Sequence, residues 1–292
     1  MAEVWRAVYE PTDTQIAVKV SSVLDPSFVA ALHGEASVMA SFRTPYLVTV
    51  HDFGLVDRRA AAASQGRLQP GAAWLAMEWL PHGTLAAPSL VGDWGSLRRV
   101  LLDLLLGLAH AHARGVLHRD VKPANVLVAS LLPLRVKLAD FGVAFAREQW
   151  LAGGAAPSAA LTPRYAAPEQ IRTQVGYQGP WTDLYLLGCV ARQLATGEVP
   201  FAAHTDRERV LRAQLEAQFS PLEARFDVPA GFGGWVERLL QKQPGDRFLT
   251  APAAIDALLA VERINRLHRR HWSAELDPES PPPVGAGDPG PG

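Results

Sequence analysis

The chain has 292 residues, 48% of them hydrophobic, which is enough to bury a sizeable core in one large domain or two small ones. Lys and Arg number 28 against 29 Asp and Glu, so the sequence lacks the basic field that nucleic-acid binding requires. One cysteine, Cys189, excludes an internal disulfide. No apolar run reaches the length of a membrane span and no signal peptide opens the sequence, so a cytoplasmic setting is expected.

The first part of the chain reads as strands with one helix. "VWRAVY" and "QIAVKV" are short β-prone runs joined by the loop-like "EPTDT". Asp25 and Pro26 then supply a helix start, and Phe28, Leu32, Glu35 and Met39 step along one helix face. A carboxylate on that apolar stripe either sits at its edge in water or meets a buried cation. "YLVTVHDFGL" and "AAWLAMEWL" predict two more strands, joined by "VDRRAAAASQGRLQPG", a connection longer than a hairpin needs.

From about Leu85 the texture turns helical. Leu97, Leu101, Leu104, Leu105 and Leu108 make an apolar helix face closed by Gly115 as the expected C-cap. A second helix around "DLYLLGCVARQLAT" ends at Gly197, and its Cys189 reads as a buried, inert thiol. A final helix precedes a Pro/Gly-rich stretch, 272–292, expected to be a disordered tail or linker. The fold class expected is α+β and bilobal, with a small β-rich lobe over about 1–80 and a larger helical lobe over about 84–271.

The chemistry concentrates in two stretches. "VLHRDVKPANVLV" places Asp120, Lys122 and Asn125 on a short loop, and "VKLADFGVA" places Asp140 on a turn after a strand. Phosphoryl transfer needs such a set. An aspartate holds the attacking hydroxyl, a lysine offsets charge on the moving phosphoryl, and an Asn and an Asp offer oxygen to magnesium. A lone "DFG" is weak evidence, because "HDFG" also occurs at 51–54, where Asp52 reads as a turn residue. His110 and His112 face different ways on a helix, and no Cys or carboxylate set completes a metal site, so they read as structural.

At these residues the chain resembles a eukaryotic-type protein kinase of bacterial appearance, over roughly Val4 to His271, with several motifs in the family's order. The resemblance implies that Lys19 in "IAVK" holds the α- and β-phosphates of ATP and that Glu35 is its helix partner. It implies Asp120 as catalytic base, Lys122 as the phosphate-neutralising lysine, and Asn125 and Asp140 as Mg2+ ligands. Val4, Ala17, Met77 at the gatekeeper position, Glu78 and Leu80 would surround the nucleotide. Ala167-Pro168-Glu169 would close the activation segment, with Arg247 in "PGDRF" pairing with Glu169. Asp183 would brace the catalytic loop, and His118 would be a packing residue. "DVKPAN" and Thr162 in "LTPRYAAPE" imply a serine/threonine kinase acting on protein hydroxyls, although Leu161 stands where the family has glycine. Arg119 would pair with a phosphate on the activation segment, and Ser158 is the candidate acceptor.

One feature departs from the pattern. Val4 takes the valine position that follows the glycine-rich clamp, Ala2 stands at its third glycine, and the strand and glycines before it are absent from this sequence. Two or three backbone N–H bonds to phosphate at about 1.5–3 kcal/mol each would go with them, weakening nucleotide binding while leaving the reacting groups in place. Two expectations follow: a longer working form with a Gly-x-Gly turn before Ala2, and, as the rival function, a pseudokinase scaffold. A small-molecule phosphotransferase shares the Asp/Asn/Asp logic, but the Ala167-Pro168-Glu169 segment and Thr162 disfavour it.

Overall fold

The computed structural model describes residues 2–86, 88–141, 162–172 and 177–261. Its smaller lobe is built on a four-stranded antiparallel sheet: β1 (Ala2–Tyr9), β2 (Thr14–Ser21), β3 (Val50–Leu55) and β4 (Ala73–Glu78), in the spatial order β1-β2-β4-β3. Helix α1 (Pro26–Ala40) packs on β3 and β4. Period-two alternation sends Ala17, Leu75 and Met77 into the main core with Ala36 and Met39. Val18, Val20 and Trp74 face the other way, into a second cluster with Val56, Ala61 and Ala72. Each face of the central strands therefore carries apolar side chains that pack on a cluster, which accounts for their near-continuous apolar character.

Helix α2 (Arg58–Ala63) forms where the sequence suggested only a long connection. Asp57 caps it, its carboxylate accepting from the Ala60 N–H, and four successive alanines favour the helix while Ala61 is buried. Two further expectations are corrected in this lobe. The third strand starts at Val50, because residues 46–48 bond instead to the larger lobe: Leu138 N–H donates to Tyr46 O, and Val48 N–H donates to Leu138 O. Asp52 lies within β3, beside a register shift, and is not a turn residue.

The larger lobe centres on α3 (Trp94–His112), where Leu97, Leu101, Leu104, Leu105 and Leu108 are all fully buried. Such burial contributes about 1.5–3 kcal/mol for each leucine. Asp93 caps the helix start and Ala113 is the C-cap; Gly115, two residues further on, takes the left-handed conformation, with φ of 73°, that lets the chain turn back. The hairpin β5 (Val126–Leu131) and β6 (Leu134–Leu138) packs on α3 and carries the catalytic-type loops at its two ends. Helix α4 (Pro168–Ile171) is short, and α5 (Pro180–Thr196) is mostly buried and ends at Gly197 with φ of 85°. Helices α6 (Arg207–Glu216) and α7 (Phe232–Leu239) follow, with α7 against α5, and helical residues 251–261 close the described chain. Buried Cys189 lies on α5, its thiol pushed up to about 12 by burial.

Candidate active site

The site lies where β2 and β4 of the small lobe face the loops at the ends of β5 and β6. Those loops are held by buried polar groups. Asp183, fully buried at the first turn of α5, accepts from the main-chain N–H of His118 at 2.8 Å and of Arg119 at 2.7 Å. His112 Nε2 lies 2.7 Å from the same carboxylate. Burial alone would raise the Asp183 pKa, but the hydrogen bonds from His112 and from the His118 N–H outweigh it and hold the carboxyl below its usual value. His118 is buried too. Its Nδ1 accepts from the Asp120 N–H at 3.2 Å, so Nε2 carries the proton and donates to Ala139 O at 2.7 Å. One imidazole thus joins the loop bearing Asp120 to the strand end bearing Asp140.

On this frame the candidate catalytic side chains converge. Lys122 Nζ is 2.7 Å from Asp120 Oδ2 and donates to Thr162 Oγ1 at 3.0 Å, while Thr162 Oγ1 donates to Asp120 Oδ1 at 3.0 Å. Asn125 Nδ2 donates to the Asp120 carbonyl at 2.8 Å and to Oδ2 at 3.1 Å. The donor side of that amide is therefore committed, and its oxygen is the atom left for a cation. Asp140 has φ of 64°, outside the usual range for a non-glycine residue, and its Oδ1 lies 2.8 Å from Lys19 Nζ. Arg119 has the same φ of 64°. Strain of this kind persists only where the surroundings over-determine the backbone, as the Asp183 and His118 bonds do here.

No group of three or more His, Cys, Asp or Glu side chains is placed to hold a metal ion among the described residues. An amide oxygen with one carboxylate fits magnesium instead, a hard cation that keeps water and phosphate oxygens in its shell. Asn125 and Asp140 would hold it, with Lys19 sharing Asp140.

In the small lobe, Ala17 and Met77 are buried and opposite each other across β2 and β4, with Lys19 next along that face. Leu80 is half-buried against the core. Val4 stands directly across from Lys19 but is 62% exposed. Glu35 lies in α1, and its side chain is outside the described part, as is Ser158 altogether. The Glu78 carboxylate is turned away to Lys137 and the Thr49 N–H, so only its main chain is left for a nucleotide. The activation-segment end is anchored by Arg247, whose Nη1 and Nη2 donate to the two oxygens of Glu169 at 2.8 and 3.0 Å.

Three residues that motif reading passed over also shape the site. Gln170 donates to Arg119 O at 2.8 Å and accepts from the Ala167 N–H, tying α4 to the catalytic-type loop. Arg6 pairs across the sheet with Ala17, and its guanidinium lies 6.0 Å from the Trp79 ring in the segment between lobes. Its two-residue step from Val4 was the available signal. Lys137, three residues before Asp140, had no such signal, because its partner is 59 residues away.

With this geometry in hand, the comparisons with known proteins place the chain. The protein kinase domain family matches residues 1–257, and the chain belongs to that family. It is 30% identical over 281 residues to serine/threonine-protein kinase pkn3 of Myxococcus xanthus, covering 91% of this chain and 48% of that protein. It is 31% identical over 303 residues to serine/threonine-protein kinase PknA of Mycobacterium tuberculosis, covering 99% and 63%. With serine/threonine-protein kinase PknE of Mycobacterium tuberculosis it shares 32% identity over 297 residues, covering 96% and 49%. The chain thus spans about half to two thirds of the length of these relatives. A crystal structure of Rad53 1–466 in complex with AMP-PNP superposes with a TM-score of 0.65 at 21% identity, over 88% of this chain and 61% of that one, a likeness of fold.

Proposed function

We propose that this chain is the catalytic domain of a serine/threonine protein kinase that transfers the γ-phosphoryl group of ATP to hydroxyls of protein substrates. The observation that carries the reading is the Asp120, Lys122 and Thr162 triangle. A threonine hydroxyl already donates to one Asp120 oxygen while an ammonium rests against the other. A substrate hydroxyl entering beside Thr162 meets the same acceptor. Asp120 orients its oxygen and takes its proton as the new O–P bond forms and the bond to the ADP oxygen breaks. Lys122 offsets charge on the moving group, and Lys19 serves the phosphates that stay behind. Asn125 and Asp140 would hold magnesium, which would supply positive charge against the phosphate oxygens. Thr162 and the α4 turn anchored by Arg247 support a protein substrate in preference to a small molecule. Nothing in the described site favours a scaffold without catalysis. A cytoplasmic location suits ATP as donor, and among the described residues no helix is long and apolar enough to cross a membrane.

The test is Asp120→Asn with radiolabelled ATP and a mixed peptide substrate. Turnover should fall at least a hundredfold while calorimetric Mg-nucleotide affinity stays within about threefold, because orienting the hydroxyl contributes little to nucleotide binding. Label on wild-type product should sit on phosphoserine or phosphothreonine. Turnover that survives Asp120→Asn, or label on phosphotyrosine, refutes the assignment.

A further inference from the structure

Every residue leading into Asp140 is tied down, and each tie goes to a different place. Ala139 is bonded to the catalytic-type loop: its N–H donates to Asn125 O at 2.8 Å, and its carbonyl accepts from His118 Nε2 at 2.7 Å. Leu138 is bonded through its main chain to Tyr46 and Val48, in the segment joining α1 to β3. Lys137 is tied by its side chain. Its Nζ donates to both oxygens of Glu78 at 2.7 Å, and Glu78 is the last residue of β4, where the chain leaves the small lobe. The carboxylate accepts a third bond, from the Thr49 N–H at 2.7 Å, and the Glu78 N–H donates back to Thr49 O at 3.0 Å.

An exposed lysine–glutamate pair contributes little, about 0–1 kcal/mol. This pair is of another kind. Its side chains are 17% and 21% exposed, both carboxylate oxygens are engaged, and the backbone N–H of Thr49 fixes the acceptor from a third direction. Losing Lys137 would leave a half-buried carboxylate at the start of the inter-lobe segment without its counter-charge, and would free a side-chain anchor between that segment and the strand leading to Asp140. Asp140 is held at a φ that few non-glycine residues adopt, so its position depends on anchors in the residues before it.

We propose that Glu78 and Lys137 form a positioning pair that sets the start of the inter-lobe segment against the Asp140 strand, and that Mg-nucleotide binding depends on it although neither charged group touches the nucleotide. The inference rests on the kinase reading of the same site. It also assigns the Glu78 carboxylate a role of its own, with the Glu78 main chain still left for the nucleotide.

The full chain would be compared with Lys137→Met, Lys137→Arg and Glu78→Gln variants and with the Glu78→Gln/Lys137→Met double variant. Calorimetric affinity for AMP-PNP with and without Mg2+, KM for ATP and for peptide, and thermal midpoint would be measured for each. Lys137→Met should weaken Mg-AMP-PNP binding five- to tenfold and raise KM for ATP to match, with peptide KM changing less than twofold. Lys137→Arg should stay within twofold of wild type in all of these. The double variant should be no weaker than Lys137→Met, because the pair acts as one unit. Affinity unchanged in Lys137→Met, multiplying losses in the double variant, or a loss that tracks the thermal midpoint and is not restored by arginine would overturn the inference while leaving the kinase reading intact. Failure of wild type itself to bind Mg-AMP-PNP would overturn both.

Discussion

Arg247→Met removes a heavily bonded cation of the larger lobe. Its Nε donates to Gln241 O at 2.7 Å, Nη1 to Glu169 Oε1 at 2.8 Å and Trp181 O at 3.1 Å, and Nη2 to Glu169 Oε2 at 3.0 Å and Lys242 O at 3.1 Å. The guanidinium also stacks 4.7 Å from the Tyr185 ring centroid. Side-chain exposure is 0% for Arg247 and 2% for Glu169, so solvent screens neither charge. Methionine fills most of the volume, which confines the loss to the polar contacts. Glu169 would keep only the Thr182 hydroxyl, at 2.9 Å, as a side-chain donor. Breaking one side of a buried ion pair costs about 3–5 kcal/mol, most of it the penalty of the stranded partner. Urea unfolding followed by far-ultraviolet circular dichroism should show a loss in that range. Adding Glu169→Gln to Arg247→Met should recover at least about 1 kcal/mol, since the stranded charge is then gone. A loss below about 1 kcal/mol, or a double variant as unstable as the two singles together, would refute the reasoning.

Asp183→Asn should cut turnover at least tenfold by loosening the His118 and Arg119 N–H groups, as steady-state kinetics would show. Because the folded Asp183 pKa lies below its ordinary 3.8, its stabilising contribution is full above that value and is lost as pH falls through the folded pKa, so acid unfolding of this variant should be less steep than that of wild type. Burial lowers the Lys242 ammonium from 10.5 to about 8, so the unfolded chain binds the extra proton between those values and wild-type stability should rise relative to Lys242→Met from pH 8 to 10 in urea titrations. Cys189, buried and pushed up to about 12, should resist a thiol reagent at pH 8 until denaturant unfolds α5, and should then react stoichiometrically.

Residues whose chemistry needs a loop were the ones readable from the chain alone. Asp120, Lys122 and Asn125 sit within six positions of one another, so their convergence is local and the spacing declares it. The leucine face of α3 was readable for a similar reason, since helical period alone assigns its burial. What escaped depends on long-range pairing. The role of His112 is set by Asp183, 71 residues away, and that of Glu78 by Lys137, 59 away. An alternating strand cannot say which way its last carboxylate turns. Helix α2 was missed because its alanines carry no period, and its tie to the sheet is the single buried side chain of Ala61.

The division of labour between the lobes follows from where the anchors lie. Asp120, Lys122, Asn125 and Thr162 bond among themselves, and Asp183, His118, Gln170 and the Glu169–Arg247 pair fix their backbone, all from the larger lobe. The small lobe contributes Lys19 to Asp140 and the Ala17–Met77 face. On the proposed reading, the exposure of Val4 on β1 would bear on how tightly a nucleotide is held and would leave the larger-lobe groups where they are. Only two side-chain ion pairs among those described cross from the β2–β4 strands to the Asp140 strand, Lys19 with Asp140 and Glu78 with Lys137, and they engage it three residues apart. A nucleotide drawing Lys19 toward its phosphates would leave Glu78–Lys137 as the remaining ion pair there, which is why its loss should register in magnesium-nucleotide binding before it registers in the handling of peptide.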